Sequence, residues 1–171
     1  MENKLGLVLS GGSVRAAAHV GVLKALEEYA LEPDLVVGTS GGSIVAALYA
    51  TGLTAQELQE LFLEYSKAKG KVVDLNWQGA ILALLTWDIK RFIGVVRGAS
   101  LEKIIAQSLP IQRFHDLEKC QLLIPAVNLN NGQQTVFCDY TTLGLTLDTE
   151  GKCAEYPVRD DLTIAQAVRA S

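Results

Sequence analysis

The sequence DLVVGTSGGSIVAALYA, residues 34–50, combines a short apolar run, a glycine-rich break and a run of small residues. The apolar run up to Val37 is typical of a strand that a parallel sheet buries on both faces. The small residues from Ser43 onward have the composition of a closely packed helix. An earlier unit that begins at Leu5 has the same order of strand, glycine-rich break and helix. Two such units near the amino terminus predict an α/β fold.

The first predicted helix follows the glycine-rich break at residues 10–13. Small and apolar side chains recur there at helical spacing, which predicts one stripe packed on the sheet. The many alanines and the glycine in this stripe indicate a close approach of the two backbones. The predicted stripe consists of Val14, Ala17, Ala18, Gly21, Val22, Ala25, Leu26 and Tyr29.

Two further helix starts are predicted from their capping residues. Thr54 and Glu57 have the spacing of a capping box, in which the two side chains satisfy backbone N–H groups at a helix start. Thr163 is the predicted N-cap of a helix over residues 164–170.

The middle of the chain holds two strand patterns and one segment without a clear pattern. The apolar runs 122–127 and 134–137 predict strands, and the Asn131-Gly132 pair between them predicts a type I′ hairpin turn. Residues 67–99 contain both tryptophans and an apolar cluster. We interpret this segment as core, with a lid or an interfacial surface as the alternative.

Composition and charge restrict the classes of protein. The 171 residues, 49% of them hydrophobic, predict a single domain over residues 1–171. Fifteen Lys and Arg against 19 Asp and Glu give a net charge of −4, so no nucleic-acid partner is expected. No apolar run approaches the ~18–20 residues of a membrane span, and no signal peptide is recognisable, so we expect a cytoplasmic protein. The 3 cysteines and 2 histidines lack metal-ligand spacing, so neither a metal nor a cofactor is expected.

The break Gly38-Thr39-Ser40-Gly41-Gly42 matches the G-x-S-x-G pattern of a nucleophile elbow. A serine on such a strand-to-helix turn is strained and projects its hydroxyl above the sheet. Gly38 and Gly42 let neighbouring backbone pass close by, and the dipole of the following helix stabilises developing negative charge. The alternative is an ordinary glycine-rich turn without chemistry.

The earlier break, Ser10-Gly11-Gly12-Ser13 followed by Val14-Arg15, can serve the same chemistry. Acyl transfer through a serine needs backbone N–H donors for the oxyanion, and a glycine-rich loop at a helix start presents such donors. Phosphate binding is the rival hypothesis. Neither turn has the spacing of a P-loop or of a dinucleotide-binding motif, which argues against it.

Taken together, the two turns resemble motifs of the patatin-like phospholipase family. Residues 9–23, LSGGSVRAAAHVGVL, resemble the family's opening motif, and residues 38–43, GTSGGS, resemble its nucleophile motif. Residues 123–137 and 164–171 also resemble family segments. The resemblance implies an α/β three-layer sandwich with a mainly parallel central sheet.

The same resemblance implies a serine acyl hydrolase of lipid esters, of the phospholipase A or lysophospholipase type. It implies a Ser–Asp dyad without a histidine, in which Ser40 is the nucleophile. By the same resemblance, Gly11, Gly12 and Ser13, with the region of Arg15, form the oxyanion hole. No cofactor is implied.

Two features depart from the family pattern. Ser13 stands in place of a third glycine and Ala16 in place of a glycine after Arg15, and a positive φ at position 13 would cost energy for serine. The resemblance also implies a base in an Asp-Gly motif after residues 167–171, whereas the sequence contains no Asp-Gly pair. We therefore expect the domain to be incomplete at its C-terminal end and this polypeptide alone to be poorly active.

Several alternatives remain open from the sequence. Asp139 is the nearest in-chain candidate for the base, and a triad through His115 is another arrangement. His19 is interpreted as a packing and hydrogen-bonding residue. The whole protein could instead be a generic α/β-hydrolase esterase, or a catalytically impaired lipid- or protein-binding module with the same fold. Since the net charge is −4, any contact with a membrane surface should be transient and apolar.

Overall fold

One six-stranded sheet forms the centre of the protein in a computed structural model, which describes residues 4–67, 99–141, 152–153 and 156–171. Its spatial order is β1-β2-β3-β4-β6-β5. The pairs β1–β2, β2–β3 and β4–β6 are parallel, and β3–β4 and β5–β6 are antiparallel. The strands are Gly6–Leu9 (β1), Leu35–Gly38 (β2), Gln121–Val127 (β3), Gln134–Phe137 (β4), Lys152–Cys153 (β5) and Tyr156–Arg159 (β6).

Helices connect and cover these strands, so the predicted α/β class with a mainly parallel central sheet is confirmed. A 3₁₀ turn at Ser13–Ala17 leads directly into the first helix, and a second 3₁₀ turn lies at Phe114–Asp116. The described helices are Ala18–Glu28 (α1), Gly41–Ala50 (α2), Ala55–Lys67 (α3), Ala99–Ser108 (α4) and Ile164–Ala170 (α5).

Helix α2 lies at the heart of the core. It packs on β2 and β3 and also contacts α1, α3 and α5. From Val45 to Ala50 every side chain is buried, which is the pattern of a helix that is apolar all round. Its first residue follows Ser40 directly, so the core of the protein anchors the helix that starts at the candidate nucleophile.

The predicted buried stripe of the first helix is wrong. Val14 is 86% exposed and Tyr29 79% exposed, whereas the buried side chains are Ala16, Val20 and Leu23. The physical reason is the packing of α1, which among the described elements lies mainly against α3 and α2, so that the face carrying Val20 and Leu23 is the buried one. Within α1, Ala18, Gly21, Val22 and Ala25 of the predicted stripe are exposed as well, Val22 at 47%.

The predicted capping box at Thr54 and the predicted N-cap at Thr163 are both confirmed, and the N-cap at Thr163 is part of a second capping box. The Thr54 N–H donates to Glu57 Oε2 at 2.8 Å, and the Glu57 N–H donates to Thr54 Oγ1 at 3.2 Å. At the start of α5, the Gln166 N–H donates to Thr163 Oγ1 and the Thr163 N–H donates to Gln166 Oε1. These devices need only a four-residue sequence, which explains why the sequence predicts them well.

Strands β3 and β4 form the predicted hairpin, but its turn is not type I′. The closing bond runs from the Asn128 N–H to the Gln133 oxygen at 2.8 Å, so four residues form the loop. Only Gly132 has a positive φ in this loop, at +71°, whereas a type I′ turn needs two such residues. The Asn128 and Asn131 side chains accept backbone N–H groups inside the loop and stabilise this longer form.

Two of the sequence-based predictions lie wholly or partly outside the described residues. The interpretation of residues 67–99 falls almost entirely on 68–98, which are not described, and it stays a prediction. The single domain over residues 1–171 also stays a prediction. Across the described ranges, no helix combines the length and the apolar character that a membrane crossing requires.

Candidate active site

Ser40 occupies the sharp turn between β2 and α2 with φ 51° and ψ −124°. A positive φ is uncommon for a residue other than glycine and costs conformational energy. Bonds within the turn hold it in this form. The Gly42 N–H donates to the Thr39 oxygen at 2.9 Å, and both the N–H and the hydroxyl of Ser43 donate to the Ser40 oxygen.

Both glycines of the G-x-S-x-G pattern lie where backbones touch. A Cβ atom on Gly38 would lie 2.6 Å from Ser43 Cα and 2.6 Å from Ala46 Cβ on α2. A Cβ atom on Gly42 would overlap the Leu9 carbonyl and lie 2.6 Å from the Ser10 oxygen. The predicted steric reason for this spacing is therefore present at both positions.

The glycine-rich loop after β1 lies directly against the Ser40 turn. A Cβ atom on Gly11 would lie 3.2 Å from Ser40 Cβ and 3.8 Å from Ser40 Oγ. A Cβ atom on Gly41 would lie 2.7 Å from the Ser13 oxygen. The two glycine-rich turns, which are separate in the sequence, therefore form one surface around Ser40.

Three backbone donors of this loop find no acceptor in the described part of the chain. Among the described residues, none accepts a hydrogen bond from the N–H of Gly11, Gly12 or Ser13. The N–H of Arg15 is already used, because it donates to the Gly12 oxygen at 3.0 Å, and the Arg15 side chain is exposed. Ser13 has φ 52°, so serine does occupy a left-handed position that favours glycine.

The two histidines have different places. His19 Nε2 lies 2.9 Å from the Ser10 oxygen, and since a carbonyl only accepts, the ring nitrogen is the donor. His19 thus ties α1 to the base of the glycine-rich loop. His115 is exposed beside Asp116 in the 3₁₀ turn that precedes the amino end of β3. Ser40 instead follows the carboxyl end of the parallel strand β2, at the opposite edge of the sheet.

Ser171 contacts the elbow, and sequence reasoning did not assign it a role. The Ser40 N–H donates to Ser171 Oγ at 3.0 Å, and the Ser171 hydroxyl donates to the Pro125 oxygen at 2.8 Å. In the sequence, Ser171 is marked solely by the resemblance of residues 164–171 to a segment of the family, which does not indicate its role. A groove of about 520 Å³ opens beside these residues, lined by Thr39, Pro125, Ala126, Val127, Leu129, Gln134, Ala170 and Ser171.

No metal site accompanies this arrangement in the part of the chain that the structure describes. There, no group of three or more His, Cys, Asp or Glu residues could hold a metal ion. Cys120 and Cys138 are buried in the core, and burial raises the pKa of the Cys120 thiol to about 11.

A strained serine at a strand-to-helix turn, beside a loop whose Gly11, Gly12 and Ser13 N–H groups have no acceptor among the described residues, is the geometry found in α/β proteins with a G-x-S-x-G elbow. Comparison with known proteins places it more closely. The family model of patatin-like phospholipases matches residues 7–171. The chain belongs to the patatin-like phospholipase family.

Several curated relatives match most of the chain. YqhO of Bacillus subtilis is 34% identical over 169 residues, which cover 96% of this chain and 53% of that protein. Human patatin-like phospholipase domain-containing protein 6 is 30% identical over 163 residues, 95% of this chain and 10% of that protein. The chain spans about half the length of the first relative and a tenth of the second.

A solved structure supports the fold. ExoU of the Pseudomonas aeruginosa type III secretion system, crystallised with SpcU, matches with a TM-score of 0.56 and 18% identity. The match covers 97% of this chain and 37% of ExoU. At this identity the similarity concerns the fold alone, and it agrees with the family assignment.

Proposed function

We propose that Ser40 is the nucleophile of a lipid acyl ester hydrolase of the phospholipase A or lysophospholipase type. One observation carries the proposal: the strained Ser40 lies against a loop whose Gly11, Gly12 and Ser13 N–H groups have no acceptor among the described residues. The family assignment supports a lipid substrate. A Kluyveromyces lactis relative, 39% identical over 88 residues that cover 52% of this chain and 6% of that protein, is named lysophospholipase NTE1.

The proposed reaction has two steps. Ser40 Oγ attacks the ester carbonyl, its proton passes to a base, and the carbonyl oxygen becomes an oxyanion that the loop N–H groups stabilise. The bond to the alcohol oxygen then breaks, and that oxygen takes the proton. Water attacks the acyl-Ser40 ester in the second step, releases the fatty acid and restores the serine. Loss of one oxyanion donor typically costs ~10²–10³ in rate.

We propose that the base is an aspartate outside residues 1–171, forming a Ser–Asp dyad. Register argues against Asp139 as the base. Because β4 is antiparallel to β3, with Phe137 opposite Ile124, the chain beyond Phe137 runs towards the amino end of β3. Ser40 follows the carboxyl end of β2, and β2 and β3 are parallel. Asp139 also accepts the Thr141 N–H at 3.0 Å, as a turn residue does.

The groove beside Ser40 supports an apolar substrate. Its wall includes Val127, 59% exposed, and Leu129, 74% exposed, on the hairpin between β3 and β4. Exposed apolar side chains next to a reactive serine are suited to a brief contact with a lipid surface. We propose such a transient contact as the way in which the substrate reaches the site, and we expect the protein to act in the cytoplasm.

One observation favours a second candidate function. Ser13 occupies a position with φ 52°, where glycine would be relaxed, and this strain could impair the oxyanion loop. The second candidate is therefore a catalytically impaired lipid-binding module with the same fold. It predicts binding to phospholipid vesicles without covalent reactivity of Ser40.

The test uses the complete gene product that contains these residues. We expect a fluorophosphonate probe to form an adduct on the Ser40 peptide, detected by mass spectrometry, and Ser40→Ala to abolish it. Ser66→Ala, a change of an exposed serine on α3, is the matched control and should react like the wild type. Fatty acid release from phospholipid and lysophospholipid vesicles then assigns the substrate type.

Two results would contradict the proposal. Folded wild-type protein that binds vesicles but never reacts with the probe would favour the binding module. Ester hydrolysis by residues 1–171 alone, abolished by Asp139→Ala, would make Asp139 the base and remove the need for an aspartate elsewhere.

A further inference from the structure

The Ser171 hydroxyl sits between two backbone groups that a regular sheet would join directly. In the parallel ladder between β2 and β3, alternate residues of β2 bond to β3, and the Gln121 N–H donates to the Asp34 oxygen at 2.9 Å. Strand β2 ends at Gly38. If its alternation continued, the next N–H to donate would be that of Ser40, and its acceptor would be the Pro125 oxygen. Thr39 fits the same alternation, since its N–H faces the other way and donates to the Leu9 oxygen.

The elbow prevents this direct bond. At Ser40 the chain leaves the strand with φ 51° and turns into α2, so the regular ladder ends at the pair Val37 and Leu123. The Ser171 hydroxyl fills the gap, because its oxygen accepts the Ser40 N–H at 3.0 Å and its hydrogen goes to the Pro125 oxygen at 2.8 Å. Both distances are those of good hydrogen bonds.

We infer that Ser171 is a positioning residue for the nucleophile, which fixes the Ser40 backbone by replacing the missing ladder bond. This inference rests on the proposed role of Ser40. A strained conformation persists only where the surroundings over-determine it. Hydrogen bonds from Ser43 inside the turn hold the Ser40 carbonyl. The Ser40 N–H is held by Ser171, which follows α5 and is itself bonded to Pro125 of β3.

The sharpest test compares Ser171→Thr with Ser171→Val in the complete gene product. Threonine and valine have nearly the same shape, but only threonine keeps a hydroxyl, and Ser171 is half-buried at the wall of the groove. We expect Ser171→Val to lower kcat for ester hydrolysis and the rate constant of fluorophosphonate labelling by about 10-fold, the effect of one lost hydrogen bond. KM should change little, and Ser171→Thr should retain most of the wild-type rate.

Thr163→Ala is the control for a general loss of helix stability. It removes the N-cap of α5 without touching Ser171, so it should lower the melting temperature and leave the labelling rate constant within about twofold. If Thr163→Ala slows labelling as much as Ser171→Val, or if the Thr and Val variants react equally fast, the positioning role is wrong.

A second readout does not depend on activity. Amide hydrogen exchange at Ser40 should be slow in the wild type and in Ser171→Thr and at least 10-fold faster in Ser171→Val, because the valine variant leaves the N–H without its acceptor. Equal exchange rates of the Ser40 amide in Ser171→Thr and Ser171→Val would contradict the proposed link from Ser40 through the Ser171 hydroxyl to Pro125. Protein that shows the exchange difference but never reacts with the probe contradicts only the proposed hydrolase function.

Discussion

Among the described residues, three other than glycine have φ near +50°, and each has a different structural setting. Ser40 is at the elbow, Ser13 is in the loop beside it, and Ala30 follows α1. At Ala30 the Leu31 N–H donates to the Leu26 oxygen and the Ala30 N–H donates to the Glu27 oxygen, which is a Schellman ending where glycine is usual. Only at Ser40 does an external side chain, that of Ser171, hold the backbone as well.

We predict that glycine relieves this strain at both of the other positions. Ala30→Gly and Ser13→Gly should each raise the free energy of unfolding by up to about 1 kcal/mol, since a left-handed residue with a Cβ costs roughly that much. Urea denaturation followed by circular dichroism measures it. If Ser13→Gly lowers the stability while Ala30→Gly raises it, the Ser13 side chain stabilises the loop, and the prediction for Ser13 is wrong.

We predict the opposite effect from filling the space at Gly42. In Gly42→Ala the new methyl group meets the Leu9 and Ser10 carbonyls, so the glycine-rich loop or α2 must shift. The free energy of unfolding should fall by about 1–3 kcal/mol, and Ser40 labelling should be lost. Gly21→Ala is the matched control, because a Cβ atom there meets nothing within 4 Å, and it should stabilise α1 by about 0.5–1 kcal/mol. Equal effects of both changes would refute the proposed close contact.

Helix α3 shows how one element is fixed at its start by two carboxylates. Glu57 completes the capping box with Thr54, and Glu27 of α1 accepts the Ala55 N–H at 3.0 Å. Negative charge at a helix start is favourable because the first N–H groups have no acceptor within the helix. Lys119 stands 3.9 Å from Glu27 and donates to the Leu53 oxygen, so it links this start to the chain before β3.

A pH dependence follows from the capping box. The bonds from Thr54 lower the pKa of Glu57 below its usual 4.5. A carboxylate whose pKa is lower in the folded protein stabilises it above pH 4.5, and this stabilisation is lost as the pH falls through the lowered pKa. Stability curves of the wild type and Glu57→Gln should therefore differ most near neutral pH and converge in acid. A difference that is constant with pH would contradict the ionic part of the cap.

Elements were predictable from sequence where local chemistry fixes them. The capping box at Thr54, the N-cap at Thr163 and the strand-to-helix turn at Ser40 depend on four or five adjacent residues, and the sequence predicts them correctly. The stripe of the first helix was wrong, because α1 packs mainly against α3 and α2 among the described elements, and the spacing of apolar residues alone does not reveal which neighbours a helix has. The type I′ turn was wrong because the asparagine side chains stabilise a longer loop.

At the scale of the whole molecule, the candidate site depends on contacts between distant segments. The glycine-rich loop and the elbow were both predicted, but their contact is a consequence of the β1–β2 pairing. The Ser40 to Ser171 bond joins residues that are 131 positions apart. No local pattern contains such a bond, since it arises from the order of strands and from where α5 ends beside Pro125.

The two thiols at Cys120 and Cys138 can test whether the sheet and its helices open as one unit. Cys120 precedes β3, Cys138 follows β4, and both side chains are buried, at 7% and 0% exposure. Burial raises the pKa of Cys120 to about 11, so its reactive thiolate is rare at pH 8. We therefore predict that in a Cys153→Ser variant both thiols react with a disulfide reagent only when the core opens.

The measurement compares two free energies. The free energy of opening obtained from the labelling rates in low urea should equal the free energy of global unfolding from circular dichroism. The reason is that the strands that bury both thiols belong to one sheet. Rapid labelling of one equivalent in the native protein would show that one end of the sheet opens by itself. Such an opening would involve the amino end of β3 and the adjacent end of β4, whereas Pro125, which accepts the Ser171 hydroxyl, lies nearer the carboxyl end of β3.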